Sequence, residues 1–415
     1  MSGWPSRPIG LLMANPLLRE VPLALCLCLL VACAPSGGQP AAGAQAAPPS
    51  VTAPATTAAE PEPTRPSPPA PAPSRAATAP APDPAEPVQV ELSVVTSGLA
   101  APWGVAFAGD RTFVTERDSG RVLELAGGDT REVAALEVDR GGEGGLLGIA
   151  ASPSFAQDGL LYVYATTGGQ NQVLRLPADG GAPAEPILTG IPAGRIHNGG
   201  RLAFGPDRLL YVGTGDSGES GLAQEPGSLA GKVLRITADG AVPDGNPFPG
   251  SPVWTLGHRN VQGLAWGPHG TLYATEFGPD RDDEINVLQP GANYGWPAVT
   301  GAAGDPAYVD PVVVRQPPEA SWSGAAVLRD GAIPQWEGDL FASALRGGQL
   351  WRLPLGDDGA VLADQTEALL GDEGRLRHVA QAPDGSLWVL TSNTDGRGNP
   401  GPDDDRILRL GPPSP

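Results

Sequence analysis

Between residues 102 and 410 the chain repeats one phrase six times. An apolar strand of about six residues is followed by a turn often written Pro-Asp-Gly, a second strand of the type Leu-Tyr-Val, and a third ending in Leu-Arg-Leu. The first copy reads Pro102-Trp103-Gly104-Val105-Ala106-Phe107, then Thr112-Phe113-Val114-Thr115, then Arg121-Val122-Leu123-Glu124-Leu125. The later copies start from Leu147-Gly148-Ile149-Ala150, Leu202-Ala203-Phe204, Gly263-Leu264-Ala265-Trp266, Ala325-Ala326-Val327-Leu328 and Val379-Ala380-Gln381-Ala382. Short apolar runs between Gly and Pro turns, with almost no helical periodicity, specify an all-β chain. At roughly 55 residues, each repeat suits one four-stranded sheet, and a closed ring of such sheets protects its edges. The pattern predicts a six-bladed β-propeller over residues 88–415. A β-sandwich would not generate six copies in order.

The segment before the repeats has a different character. Arg7 and Arg19 precede an apolar run over 21–32. It is shorter than the ~20 residues of a comfortable membrane span and reads as the apolar core of an export signal. The run ends in Leu30-Val31-Ala32-Cys33, which resembles the lipobox of bacterial lipoproteins and would make Cys33 the acylated residue. The other reading is an ordinary secretory signal, and both export the protein. Residues 1–33 are therefore expected to be a lipoprotein-type signal peptide. Residues 34–87, rich in Pro and Ala with few large apolar side chains, are expected to be a disordered tether.

Composition removes several kinds of chemistry. All three cysteines, Cys26, Cys28 and Cys33, lie in or at the end of the signal run, so the repeat region has no disulfide, zinc-thiolate site or cysteine nucleophile. The formal charge of −20 repels phosphate backbones and excludes nucleic acid as a partner, while suiting calcium.

Ligand sites in propellers lie at one end of the central channel, so polar clusters in the loops are the candidates. Two of the four histidines lie in dense polar runs, Arg195-Ile196-His197-Asn198-Gly199-Gly200-Arg201 and Gly257-His258-Arg259-Asn260-Val261-Gln262-Gly263. A histidine in such a loop is either a structural residue or a general base, the side chain best suited to that role near neutral pH. Glu276 through Glu284, followed by Asn293-Tyr294-Gly295-Trp296, is rich in oxygen ligands of the kind calcium takes, and reads equally as a solvated acidic turn. In Gly374-Arg375-Leu376-Arg377, strand alternation puts both guanidinium groups on one side. That pair suits a polycarboxylate or phosphate, or serves as a charged strand edge.

Together these segments resemble the soluble pyrroloquinoline quinone (PQQ)-dependent glucose/sorbosone, or aldose sugar, dehydrogenases, a family of six-bladed propellers. The resemblance covers roughly 92–410. It rests on Thr115-Glu116-Arg117, Gly145-Leu146-Leu147-Gly148, the run 197–201, His258-Arg259-Asn260 with Gln262, and the run 278–296. It implies oxidation of an aldose to its lactone by hydride transfer to the C5 carbon of calcium-bound PQQ, with electrons passing to an external acceptor such as a cytochrome or quinone. His197 matches the family's general base, and Arg259 matches the arginine against the quinone oxygen. Asn260 is at a cofactor-contact position. Gly278 and Pro279 match the backbone carbonyls that hold the catalytic calcium, and Gln262 a residue supporting it. Arg375 and Arg377 match the arginines that grip the cofactor carboxylates. Glu284 and Tyr294 match ligands of a second, structural calcium.

Three positions depart from the family pattern. Arg346 stands where the family has a cofactor-binding lysine, in a chain whose only lysine is Lys232. The two cations are not interchangeable at a tight contact. Glu143 replaces a sugar-contacting glutamine, and Trp322, in a segment without the family's aromatic and threonine pattern, is expected as a wall over the cofactor and substrate. The departures favour a second reading, a non-catalytic binding propeller on the same scaffold. A third, a calcium-dependent lactonase, would need a channel-centre metal held by side-chain carboxylates.

Overall fold

In the computed structural model, residues 88–127 and 129–413 are described. The expected signal peptide, the lipobox Cys33 and the Pro/Ala-rich segment lie outside them. Among the described residues no helix is long and apolar enough to cross a membrane.

The six repeats form six four-stranded antiparallel sheets. Their inner strands are Pro102–Ala108, Leu146–Ala151, Leu202–Phe204, Val261–Trp266, Trp322–Val327 and Leu376–Gln381, and each packs on the next until the sixth meets the first. This is the six-bladed β-propeller that the repeats imply. Ring closure was not legible in the repeats. The sixth blade takes its outermost strand from the start of the described chain, Glu91–Thr96, which pairs antiparallel with Ile407–Gly411 through Leu92↔Leu410 and Val94↔Leu408. Joining the two ends of the propeller in one sheet leaves no gap between the first and last blades.

The core is divided the same way, into six apolar clusters, one between each pair of neighbouring blades. Tyr162 and Tyr164 of the second blade pack with Leu210 and Val212 of the third; Phe341 and Leu350 of the fifth pack with Leu387 and Leu408 of the sixth. Each sheet is buried on both faces, which explains why the strands read as apolar runs and not as a clean alternation.

Near the centre the inner strands come very close. A Cβ on Gly148 would lie 2.2 Å from the Gly200 carbonyl oxygen, and one on Gly324 would lie 2.1 Å from Nδ1 of His378. The ladder also slips at the first turn of five inner strands, between Pro102 and Gly104, Leu146 and Ile149, Val261 and Gly263, Trp322 and Ala325, and Leu376 and His378. Such irregularities re-aim side chains. Here they gather a polar plug across the channel. Arg201 stacks 4.2 Å above the Trp103 ring and donates from Nε to the Gln262 carbonyl at 2.7 Å. Arg377 donates to Gln262 Oε1 at 2.8 Å, and Ser323 donates to the same oxygen at 3.2 Å. The plug separates two cavities, one at each end of the channel.

Candidate active site

At the end where the inner strands begin lies a cavity of about 410 Å³. His197, Arg259, Gly278, Pro279, Arg346, Arg375, Glu143 and Asp283 all line it. Residues scattered over more than two hundred positions of sequence meet there because the loops that lead into the inner strands and those that join second to third strands open at the same rim.

His197 is held on three sides. Its backbone adopts φ 56°, and its N–H donates to Glu143 Oε2 at 2.8 Å. Its Nδ1 lies 2.7 Å from Asp216 Oδ1, in a buried pair. Asp216 also accepts the Gly218 N–H at 2.8 Å and the Trp296 indole N–H at 2.7 Å. Burial alone would raise the Asp216 pKa, but the hydrogen bonds from His197 and Gly218 outweigh it and hold the carboxyl below its ordinary range. An ionised Asp216 is an acceptor for a proton on His197 Nδ1, the arrangement that leaves the Nε2 lone pair open. The loop beneath must be glycine, because a Cβ on Gly215 would sit 1.9 Å from the His197 carbonyl oxygen.

The Arg259 guanidinium lies over the Trp296 ring, 5.4 Å from its centre. Its N–H donates to Glu276 at 3.0 Å and its Nη1 to the Phe277 carbonyl at 3.1 Å, while its Nε is buried without a partner. Burial lowers its pKa. Asn260 accepts the Gly199 N–H at 2.9 Å through Oδ1, and its buried Nδ2 is also unpartnered.

Asp283 shapes the Gly278–Pro279 turn, accepting the Gly278 N–H at 2.9 Å and the Ser321 N–H at 2.6 Å. Burial pushes its pKa up to about 6, against those two hydrogen bonds and the nearby Arg259 and Arg346. The turn is so tight that a Cβ on Gly278 would lie 1.9 Å from the Arg281 carbonyl oxygen. Neither the Gly278 nor the Pro279 carbonyl accepts a hydrogen bond from a described residue.

On the opposite wall Arg375 makes a two-pronged contact with Asp395, at 3.0 and 2.9 Å. Arg377 approaches the same carboxylate at 3.7 Å but lies in the plug beneath the cavity, so the two arginines share a side without sharing a surface. Arg346 is exposed, and its guanidinium makes no hydrogen bond to a described residue. Glu143 receives Arg397 at 2.9 Å; burial opposes its ionisation, but the His197 N–H and Arg397 together lower its pKa.

Other expected residues fall elsewhere. Trp322 is a correction: it is 0% exposed, packed between the fourth and fifth blades against Trp351, and does not line the cavity. The chain turns at Ser321, whose φ is 57°, so Ser321 reaches the cavity while the following ring enters the core. Gln262 belongs to the plug. Glu284 accepts the Gly301 N–H at 2.6 Å and Asn286 at 3.1 Å, and burial together with the neighbouring Glu276 carboxylate raises its pKa. Tyr294 stacks on His258 and closes its hydroxyl on its own loop, at Val287 and Gln289. Its hydroxyl and the Glu284 carboxylate are not brought together. Asp216 and Asp395 were not expected, and Asp283 and Trp296 lie in the segments read as oxygen-rich without a role of their own. The usable signal was an acid beside a glycine at a strand end, as in Gly215-Asp216, but the sequence contains many such pairs.

Residues 99–408 match the glucose/sorbosone dehydrogenase family. The chain belongs to that family. Among solved structures, the family member described as an aldose sugar dehydrogenase from Streptomyces coelicolor, in its PQQ-bound form, is 45% identical, with a TM-score of 0.72 over 79% of this chain and 99% of that one. Quinoprotein glucose dehydrogenase B of Acinetobacter calcoaceticus is 28% identical over 76% of this chain and 88% of its own. Aldose sugar dehydrogenase YliI of Escherichia coli is 29% identical over 75% and 92%.

Proposed function

We propose that this protein oxidises an aldose at its anomeric carbon to the lactone, using PQQ and calcium, and passes the electrons to an external acceptor such as a cytochrome or a quinone. The observation that carries this is the convergence of an Asp-supported histidine with Arg259, Arg346 and Arg375 on one cavity. A tricarboxylic quinone fits those cations. The buried Arg259 Nε and Asn260 Nδ2 need acceptors, the Arg346 guanidinium is free, and the Gly278 and Pro279 carbonyls offer hard oxygens to calcium. When bound, the calcium-polarised quinone supplies the hydride acceptor.

The chain's residues do the rest. His197 Nε2 takes the proton of the anomeric hydroxyl, and Asp216 stabilises the imidazolium that results. Arg259 would stand against an oxygen of a bound quinone and stabilise the negative charge that develops on it. Arg375, backed by Asp395, orients a cofactor carboxylate. Glu143, fixed by Arg397, borders the same space on the sugar side. A structural calcium near Glu284 and Tyr294 rests on the family pattern alone. Export, with a lipid on Cys33 anchoring the propeller to a membrane through the Pro/Ala-rich segment, is supported by the lipobox and by the short apolar run that ends in it.

The test uses the full-length protein, stripped with a chelator, reloaded with calcium and PQQ, and freed of excess. Retained quinone absorbance that is bleached by aldoses from a panel, and restored by an artificial dye, is the expected result. Folded protein that retains no quinone would move the assignment to the non-catalytic binding propeller.

A further inference from the structure

The channel has a second cavity, on the far side of the plug and of about 650 Å³, that the dehydrogenase chemistry does not use. Its walls are the later residues of the inner strands, among them Val105, Ile149, Leu264, Ala325 and Val379, and Phe107, Phe204 and Trp266 also line it. At its inner end, next to the plug, are Arg201 and His378.

Arg201 is 3% exposed, and its side chain makes one hydrogen bond among the described residues, from Nε to the Gln262 carbonyl. Its Nη2 is buried without a partner. No described carboxylate pairs with it, since Asp395 is occupied by Arg375 and Arg377. Arg377 adds a like charge to its surroundings. Burial and that repulsion lower Arg201 to about 9, so it remains a cation at neutral pH. His378 is also buried, and its Nδ1 has no partner. A buried guanidinium that has one hydrogen bond and the face of Trp103 but no counter-ion is costly, and what it lacks is an anion.

We propose that this far cavity binds a small monocarboxylate with an apolar body, its head group on Arg201 beside His378 and its chain along the aliphatic walls. The walls choose between anions. A bare inorganic ion would satisfy Arg201 and leave the aliphatic surface wet, and a polyhydroxylated sugar acid would bury hydroxyl groups against aliphatic walls, since the other polar side chains of the lining, Gln381 and Arg329, are already bonded to the Arg329 backbone and to the Trp266 and Gly267 carbonyls. An alkyl carboxylate satisfies both. The plug keeps this site apart from the upper cavity, so the proposal stands whether or not the quinone reading does.

Sodium octanoate is titrated calorimetrically into the full-length protein, both as purified and after treatment with calcium and PQQ, in chloride-free buffer, with 1-octanol and sodium chloride as comparators. The expected result is one octanoate per chain in both preparations, bound with any quinone retained, and octanol bound at least about tenfold more weakly. Arg201→Met is expected to weaken octanoate by on the order of tenfold to a hundredfold and leave octanol unchanged. Ala326→Trp, at a half-buried wall position, is expected to weaken both. If Arg201→Met does not fold, the octanoate and octanol comparison on the unaltered protein decides. Equal binding of octanoate and octanol, chloride binding that displaces octanoate, loss of quinone on octanoate binding, or no binding at all overturns the proposal.

Discussion

Asp216→Asn is the sharpest probe of the site, because its effect follows from counting donors. The carboxylate accepts three N–H groups: His197 Nδ1 at 2.7 Å and Gly218 N at 2.8 Å on Oδ1, and Trp296 Nε1 at 2.7 Å on Oδ2. Asparagine has one oxygen and one NH₂. With the oxygen toward His197, the NH₂ meets the Trp296 indole donor; with the NH₂ toward His197, it meets the Gly218 N–H and moves the imidazole proton to Nε2. Each buried donor facing a donor costs about 1–3 kcal/mol. In the first orientation the base survives but its imidazolium loses an ionic partner, and in the second the base is lost. The same replacement behind a catalytic histidine in a Ser-His-Asp site lowers kcat by about 10⁴. Here the single-turnover rate of quinone bleaching at saturating sugar should fall by roughly 10² to 10⁴, with PQQ affinity nearly unchanged. A variant within about threefold of wild type, showing an ordinary thermal unfolding curve, would refute the assignment of His197 and Asp216 as the base pair.

Arg375→Ala removes a wall cation and leaves Asp395 facing the cavity, so PQQ affinity measured by equilibrium dialysis should fall by about tenfold to a hundredfold; unchanged affinity would remove Arg375 from the cofactor site. Gly215→Ala drives a methyl group into the His197 carbonyl, 1.9 Å away, and should cost about 1–3 kcal/mol in urea unfolding while lowering kcat more than it changes KM. Burial opposes ionisation of Asp395, but the charges of Arg375 and Arg377 prevail and lower its pKa. Its contribution is therefore complete above the ordinary carboxylate range and is lost as pH falls through the depressed value. The stability gap between wild type and Asp395→Asn, roughly 2–4 kcal/mol at pH 7, should close in strong acid, and a gap that stays constant with pH would argue against the charge pairing.

The blades were legible because each is a local object: three strands and their turns lie within some fifty residues, and apolar runs with Gly and Pro between them are enough to write one. His197, Arg259, Gly278 and Arg375 were legible for a different reason, as parts of short motifs that a known family shares. What the repeats could not express were relations between distant segments. Glu91–Thr96 closes the sixth blade only because it finds an open edge beside Ile407–Gly411. Trp322 looked like a cavity wall, but the turn at Ser321 sends its ring into the core.

The sequence by itself determined the number of blades, the acidic, thiol-free character of the folded part and several of the candidate residues that line one cavity, since repeat length, composition and motif are written along one dimension. Only the tertiary structure decided that Asp216 stands behind His197, that Asp395 serves Arg375 and Arg377 together, and that Arg201 is left without a counter-ion. Pairings of that kind depend on which side chains the close approach of six inner strands forces into one narrow channel, and strand slips of a single residue set that outcome.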